Sequence, residues 1–262
     1  MFFKSKLTNT EKSLINLTPR VKSIIIGLIL SDGWLQKKGH WNPRIGFKQS
    51  LINFVYFWHV YNELAILCSG LPFLSKAITR GKLNFSLSLQ TRQLECLNEI
   101  FNLFYLVKKG QIIKTVKPEL FFYIDYLVLA HWIMGDGSKR AKGLILCTDN
   151  FNLQEVVLLV NILIIKFNIN PTIQKEKNKF RIYINEKGLI KIKPFIKIYF
   201  TDSMLYKLNL KQKDLSTNKK SLYNLNKYSN KINHFSSIKN RLFSSYTNIP
   251  ENNNKFMHKC NS

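Results

Sequence analysis

Apolar positions along this chain follow two different patterns. In residues 25–33 (IIGLILSDG) and 129–137 (LAHWIMGDG), nearly every position is apolar until the run stops at Asp-Gly. An unbroken apolar run that ends at glycine predicts a helix buried on all sides. In residues 82–90 (KLNFSLSLQ) and 179–185 (KFRIYIN), apolar and polar positions alternate. That period of two predicts strands with one dry and one wet face. Leu83, Phe85, Leu87 and Leu89 form the dry face of the first, and Phe180, Ile182 and Ile184 that of the second. Residues 92–105 (RQLECLNEIFNLFY) place Leu94, Leu97, Ile100, Phe101 and Phe104 at helical spacing, predicting a helix packed on the core.

The order of parts repeats. A helix over 22–31 ends at Asp32-Gly33, followed by a basic turn (WLQKKG), a strand at 44–49 and a helix near 54–67. A helix from about 124 ends at Asp136-Gly137, followed by SKRAKG, a strand at 144–148 and a helix near 153–167. This order predicts a duplicated unit. The domain reading is a lead-in (1–19), a first repeat (20–118), a second repeat (119–210) and a tail (211–262). Residues 107–117 (VKKGQIIKTVK) read as the linker between the repeats.

The Asp-Gly ends carry the chemistry. A carboxylate at the C-terminal end of a buried helix opposes the helix dipole. Two of them on matching motifs predict paired helices that bring Asp32 and Asp136 together. Adjacent carboxylates repel unless something positive sits between them, and a divalent metal is the natural candidate. The charge balance names the partner. With 40 Lys+Arg against 15 Asp+Glu, the formal charge is +25, a field that favours a polyanion: nucleic acid first, an anionic membrane surface second. The wet faces agree, offering Lys82, Asn84, Ser86, Ser88 and Gln90 on one strand and Lys179, Arg181 and Tyr183 on the other. Amide, hydroxyl and basic groups of this kind read base edges and phosphates. Lys48, Lys139 and Arg140 join them as candidate nucleic-acid contacts.

Other classes drop out. No stretch reaches the roughly 18 uninterrupted apolar residues of a membrane span. The first 14 residues lack the apolar core of a secretory signal and read as a poor transit peptide. Cys68, Cys96, Cys147 and Cys260 are scattered, without the close ligand pairs of a zinc site, and read as free thiols in a reducing compartment. The tail holds ten bases, two acids and eleven Asn, and reads as a disordered segment that either adds backbone affinity or is read-through sequence with no role.

The two Asp-Gly motifs resemble the LAGLIDADG signature of homing endonucleases and intron maturases. The first matches at Gly27, Leu28, Ile29, Asp32 and Gly33, the second at Leu129, Ala130, Ile133, Asp136 and Gly137. FKQS (47–50), CTDNF (147–151) and MLYKL (204–208) are similar to the organellar branch of that family. The resemblance runs from about residue 20 to 210. It implies an α/β (α+β) monomer of two pseudo-symmetric repeats, whose antiparallel strands form a DNA-binding saddle backed by helices. The motif helices would form the central interface. Gly27 and Ser31 lie one turn apart, as do His131 and Gly135. His131 replaces the family's small residue, which argues against tight symmetrical packing on that side.

The implied reaction is hydrolysis of one phosphodiester on each strand of double-stranded DNA. Asp32 and Asp136 would hold Mg²⁺ (or Mn²⁺). Gln49 would order a water, with Asp149 or Thr148 in its place in the second repeat. Lys109 and Lys207 would approach the scissile phosphates. The alternative function is an RNA-binding intron maturase, with intron RNA as partner. The organellar resemblance implies a mitochondrion, or another organelle such as a chloroplast.

Overall fold

The computed structural model describes residues 6–210, apart from Arg80 and Lys109. The expectations for the tail and for Lys109 lie outside the described residues. Helix α1 (Asn9–Ser13) precedes the first half. That half runs α2 (Pro19–Leu30), β1 (Gly33–Gln36), β2 (Arg44–Ser50), α3 (Phe54–Leu64), β3 (Phe73–Thr79), β4 (Lys82–Gln90) and α4 (Asn98–Phe104). It closes with a hairpin of β5 (Tyr105–Lys108) and β6 (Gln111–Lys114). The second half runs α5 (Tyr126–Asp136), β7 (Gly137–Arg140), β8 (Gly143–Leu146), α6 (Leu153–Phe167), β9 (Thr172–Glu176), β10 (Lys179–Asn185) and α7 (Glu186–Ile196). A 3-10 helix at Asp202–Leu208 ends it.

Each half holds a four-stranded antiparallel sheet with the same strand order, β1-β2-β4-β3 and β7-β8-β10-β9. The registers also correspond. Gly33 pairs with Phe47 and Phe47 with Leu89; Gly137 pairs with Leu146 and Leu146 with Ile182. Counting along the strands puts Thr148 where the first half has Gln49. Helix α3 packs on β2 and β4, and α6 on β9 and β10. The dry face of the first sheet is pinned by Phe47, which stacks on Phe57 at 5.7 Å and meets Tyr56 edge-on at 6.0 Å.

Helices α2 and α5 pack against each other at the centre. Both are buried nearly all round, which explains why their sequences lack a polar stripe. Thr18 caps α2 by accepting from the Val21 N–H, and Asp125 caps α5 by accepting from Val128 at 2.7 Å. Asp125 also accepts from the Ser23 hydroxyl at 2.7 Å, tying the two helix starts together. A Cβ on Gly27 would sit 2.6 Å from the Val128 carbonyl and 2.7 Å from the His131 Cβ. A Cβ on Gly135 would overlap Ser31. The packing is therefore tight on both sides, contrary to expectation. His131 fits because the residue opposite has no side chain, and Ser31 fits opposite Gly135 for the same reason.

Several expectations need correction. The two basic turns are largely strand: β1 and β7 occupy them and pair back onto β2 and β8. The expected linker is mostly the β5–β6 hairpin, and the helix expected over 54–67 ends in a 3-10 turn at Ala65–Leu67. In β4, Leu87 and Leu89 are buried but Leu83 is 56% exposed, because this end, paired with an exposed Ile78, runs past the helix layer. On the face expected to be wet, Ser88 is buried beside Lys48 and Phe73 on the flanking strands. The helix expected from Leu94 begins with a 3-10 turn and becomes α-helical at Asn98, with all five predicted apolar positions buried.

Candidate active site

Each motif aspartate stands where a buried helix turns directly into a strand. The turn depends on the following glycine. A Cβ on Gly33 would lie 2.9 Å from the Leu28 carbonyl, and one on Gly137 2.8 Å from the Ile133 side chain. Each strand therefore folds back against the last turn of its own helix, leaving the preceding carboxylate at the helix end. The Asp32 carboxylate lies 3.2 Å from where a Cβ on Gly135 would stand, so it borders the residue next to Asp136. The close approach of the helices thus brings the two carboxylates into one site.

Their electrostatics follow from that placement. Burial pushes the Asp136 carboxyl up to about 7, with repulsion from Asp32 adding to the shift and Lys114 and Lys207 opposing it. Burial also raises Asp32, opposed by its hydrogen bond from Gln49 and by the same two lysines. Neither carboxylate forms an ion pair among the described residues. The pair offers hard oxygen donors whose negative charge Lys114 and Lys207 offset only in part, a donor set that suits Mg²⁺ or Mn²⁺. No cluster of three or more His, Cys, Asp or Glu occurs among the described residues, so other ligands would come from backbone, water or substrate.

The first half supports its carboxylate better than the second. The Gln49 amide donates to Asp32 at 2.5 Å, and Asn53 donates to the Gln49 carbonyl oxygen at 2.9 Å. Among the described residues Asp136 has no such partner. Thr148, in the matching register, is buried and donates to the Phe180 carbonyl at 2.6 Å. Asp149 instead accepts two hydrogen bonds from Arg181, both at 2.8 Å. Neither replaces Gln49.

Two lysines flank the site. Lys207 is buried and donates to the carbonyls of Met134 at 2.6 Å, Gly135 at 2.7 Å and Ile133 at 3.3 Å. Its charge thus caps α5 as well as facing the carboxylates. Lys114 on β6 was not among the expected residues. Burial lowers it to about 8, opposed by attraction from Asp136 and Asp32. Its sequence signal was weak: one Lys in a basic stretch read as a linker, five positions beyond the Lys109 favoured instead.

The candidate nucleic-acid residues divide by face and by engagement. In the first sheet, Lys48, Asn84 and Gln90 are exposed, Ser86 is half-buried and shares a 2.9 Å hydrogen bond with Ser75, and Ser88 is buried. Lys82 ends the same strand. In the second sheet, Arg140 and Lys139 are both exposed, but strand alternation sends them to opposite faces. Arg181 is not a free guanidinium: Glu176 accepts from it as well as Asp149. These acids come from neighbouring segments, which is why the strand sequence did not reveal them. Lys179 donates to the Asp149 carbonyl at 2.8 Å, and the Tyr183 hydroxyl to the Lys142 carbonyl at 2.6 Å.

Comparison with known proteins agrees with this architecture. The LAGLIDADG DNA endonuclease family matches residues 22–192. A cytochrome b mRNA maturase bI2 from Saccharomyces cerevisiae is 33% identical over 216 residues, which is 77% of this chain and 51% of the yeast protein. This chain thus spans about half the length of that relative. The bI2 maturase of Debaryomyces hansenii is 30% identical, over 78% of both proteins. An intron-encoded endonuclease ai4 from Dictyostelium discoideum is 36% identical over 43% of this chain and 70% of its own. Among solved structures, the homing endonuclease I-WcaI bound to its DNA recognition sequence is similar with a TM-score of 0.68 and 28% identity. It covers 74% of this chain and 88% of its own. The duplicated fold, the paired Asp-Gly helices and these matches lead to one conclusion: the chain belongs to the LAGLIDADG DNA endonuclease family.

Proposed function

We propose that this chain is a site-specific endonuclease that hydrolyses double-stranded DNA with Mg²⁺ or Mn²⁺. The observation that carries the reading is the Asp32–Asp136 carboxylate pair, brought into one site at the ends of the central helices, with Lys114 and Lys207 near it but no ion pair to either carboxylate among the described residues. Asp32 and Asp136 would hold the metal, which when bound activates water and neutralises charge at the scissile phosphate. Gln49 donates to the Asp32 carboxylate and would orient a water. Lys114 and Lys207 add positive charge beside the reacting phosphates. The exposed polar and basic groups of the two sheets would bind the duplex. Because one chain supplies both carboxylates, the reading needs only a monomer.

The test is incubation with Mg²⁺ and DNA spanning the intron-free form of the gene that hosts this frame. Cleavage should fall by at least about 100-fold in Asp32→Asn or Asp136→Asn, since losing a ligand exceeds the 10–100-fold cost of losing an outer-shell partner. Binding should persist, because removing a carboxylate near phosphate relieves repulsion. Full cutting by the double variant would remove both residues from the reaction.

A second reading, an intron RNA maturase, has its own support. The two bI2 maturases align over 77% and 78% of this chain, against 43% for the Dictyostelium endonuclease. Tight binding to its own intron RNA, with no cutting of any candidate DNA, would decide for it. A cytochrome b transcript is a mitochondrial product, and on that ground the reading extends to a mitochondrial location.

A further inference from the structure

Far from the carboxylates, two adjoining clefts open along α1. Gln49, which touches Asp32, lies five positions from Arg44 along β2, on the order of 17 Å away. The first cleft, of about 560 Å³, is bordered by α1, by Trp41 and Asn42 in the β1–β2 loop, and by Gln93. The second, of about 500 Å³, is bordered by Lys6, Lys12 and Arg44. Lys12 and Gln93 line both, so the clefts meet. Each falls within the size range of small-ligand pockets, about 300–1,000 Å³.

The lining differs from end to end. Trp41 is 59% exposed, although an indole ordinarily seeks cover. The same cleft is lined by the amides of Asn9, Asn42 and Gln93, each with donors and acceptors. Asn42 accepts from Asn98 at 2.9 Å, which steadies its side chain and leaves its N–H groups as donors. Among the described residues, Glu95 is the only acid lining either cleft. In the other cleft, neither Lys12 nor Arg44 has an acidic partner among the described residues; Arg44 donates to the neutral Gln36 side-chain carbonyl at 2.7 and 3.0 Å, which orients its guanidinium without cancelling its charge. A flat aromatic surface in a cleft that also offers amides matches a nucleobase whose pairing edge is open, and the cations of the adjoining cleft match the attached phosphate. A base inside a duplex can offer neither its face nor that edge.

We propose that these clefts form a second nucleic-acid subsite that takes an unpaired nucleotide, with its base on Trp41 and its phosphate toward Lys6, Lys12 and Arg44. The proposal rests on the nucleic-acid-binding part of the function proposed above. It adds a place where a strand leaving the end of the first sheet is held when it is not paired. Such a nucleotide could come from RNA or from single-stranded DNA, and the chemistry at the site is shared.

The test uses the full chain with labelled duplexes, blunt or carrying a five-nucleotide single-stranded flank, each made as RNA and as DNA. Affinity is read by anisotropy without Mg²⁺, for the unaltered protein, Trp41→Ala and Trp41→Phe. The flank should tighten binding by the unaltered protein. Trp41→Ala should remove about 5- to 150-fold of affinity for the flanked form, the scale of one base–aromatic stack. It should leave the blunt form unchanged, and Trp41→Phe should retain most of the gain. A flank effect confined to the RNA or the DNA series identifies the source. No flank effect in either, or an equal loss by Trp41→Ala on blunt and flanked forms, overturns the proposal. Intact cleavage without a flank effect sinks this inference alone. A flank effect without cleavage sinks only the endonuclease reading.

Discussion

At the end of α5, the ammonium of Lys207 answers two demands with one charge. It satisfies carbonyls that the helix leaves unpaired and partly offsets the repulsion between Asp32 and Asp136. Lys207→Met keeps much of the volume and removes both effects. Stability should fall by about 1.5–3 kcal/mol, the range for hydrogen bonds made by charged groups. Mg²⁺ binding should tighten, because a competing cation has gone. Urea unfolding and metal titration check the two signs separately, and weaker Mg²⁺ binding would contradict this account. His131 gives a second residue-scale outcome. Burial, with repulsion from His59 and Arg20, pushes it down to about 3. In the unfolded chain it titrates near 6.5. Between those values the unfolded state holds the proton and the folded state does not, so stability is whole above about pH 6.5 and falls as pH drops toward 3. Comparing urea midpoints at pH 7 and pH 5, His131→Asn should show a shallower decline than the unaltered protein. An unchanged slope would mean His131 is not held neutral.

At the scale of elements, the central helix pair is the feature on which the site depends. Gly27 and Gly135 let α2 and α5 meet backbone to side chain, and that proximity brings the two aspartates together. Gly27→Ala places a methyl 2.6 Å from the Val128 carbonyl, which cannot rotate away. The helices must separate, at a cost of about 1–3 kcal/mol for an overpacked core. Cleavage should fall further than stability alone accounts for, because the carboxylates separate with the helices. Thermal unfolding and single-turnover cleavage, measured below the melting transition, test the two parts. Activity that simply follows the folded fraction would show that the spacing tolerates the shift. The sheets differ in another way. The first exposes Lys48 and the amides of Asn84 and Gln90, whereas the second has its central Arg181 held by Asp149 and Glu176.

For the whole molecule, charge dominates. Of the formal +25, residues 1–210 carry +17 and the remaining 52 residues +8. Affinity for any duplex should therefore fall steeply with salt, as condensed counterions are released. A chain ending at residue 210 should bind non-target DNA more weakly, with a shallower slope of log affinity against log salt. Its cooperative unfolding should be unchanged. Loss of that unfolding transition would show that the later residues take part in the fold. An unchanged salt slope would show that they do not touch the backbone.

The sequence by itself determined the elements whose cause is local. The alternation of KLNFSLSLQ and KFRIYIN places both strands at their observed bounds, because a period of two is written into consecutive residues. The apolar runs and their Asp-Gly ends mark the central helices and the carboxylates for the same reason, and duplication supplies the expectation that they pair. Tertiary structure decided what depends on residues distant in the chain. It set His131 opposite Gly27, closed Asp149 and Glu176 around Arg181, and brought Lys114 to the carboxylates from a stretch that looked like a linker. It also formed the Trp41 cleft by laying α1 beside a loop some thirty residues later. Local periodicity records which face of an element is dry. Which partner lies on the other side, and so whether a charge is free, paired or shared, is settled only when the chain closes on itself.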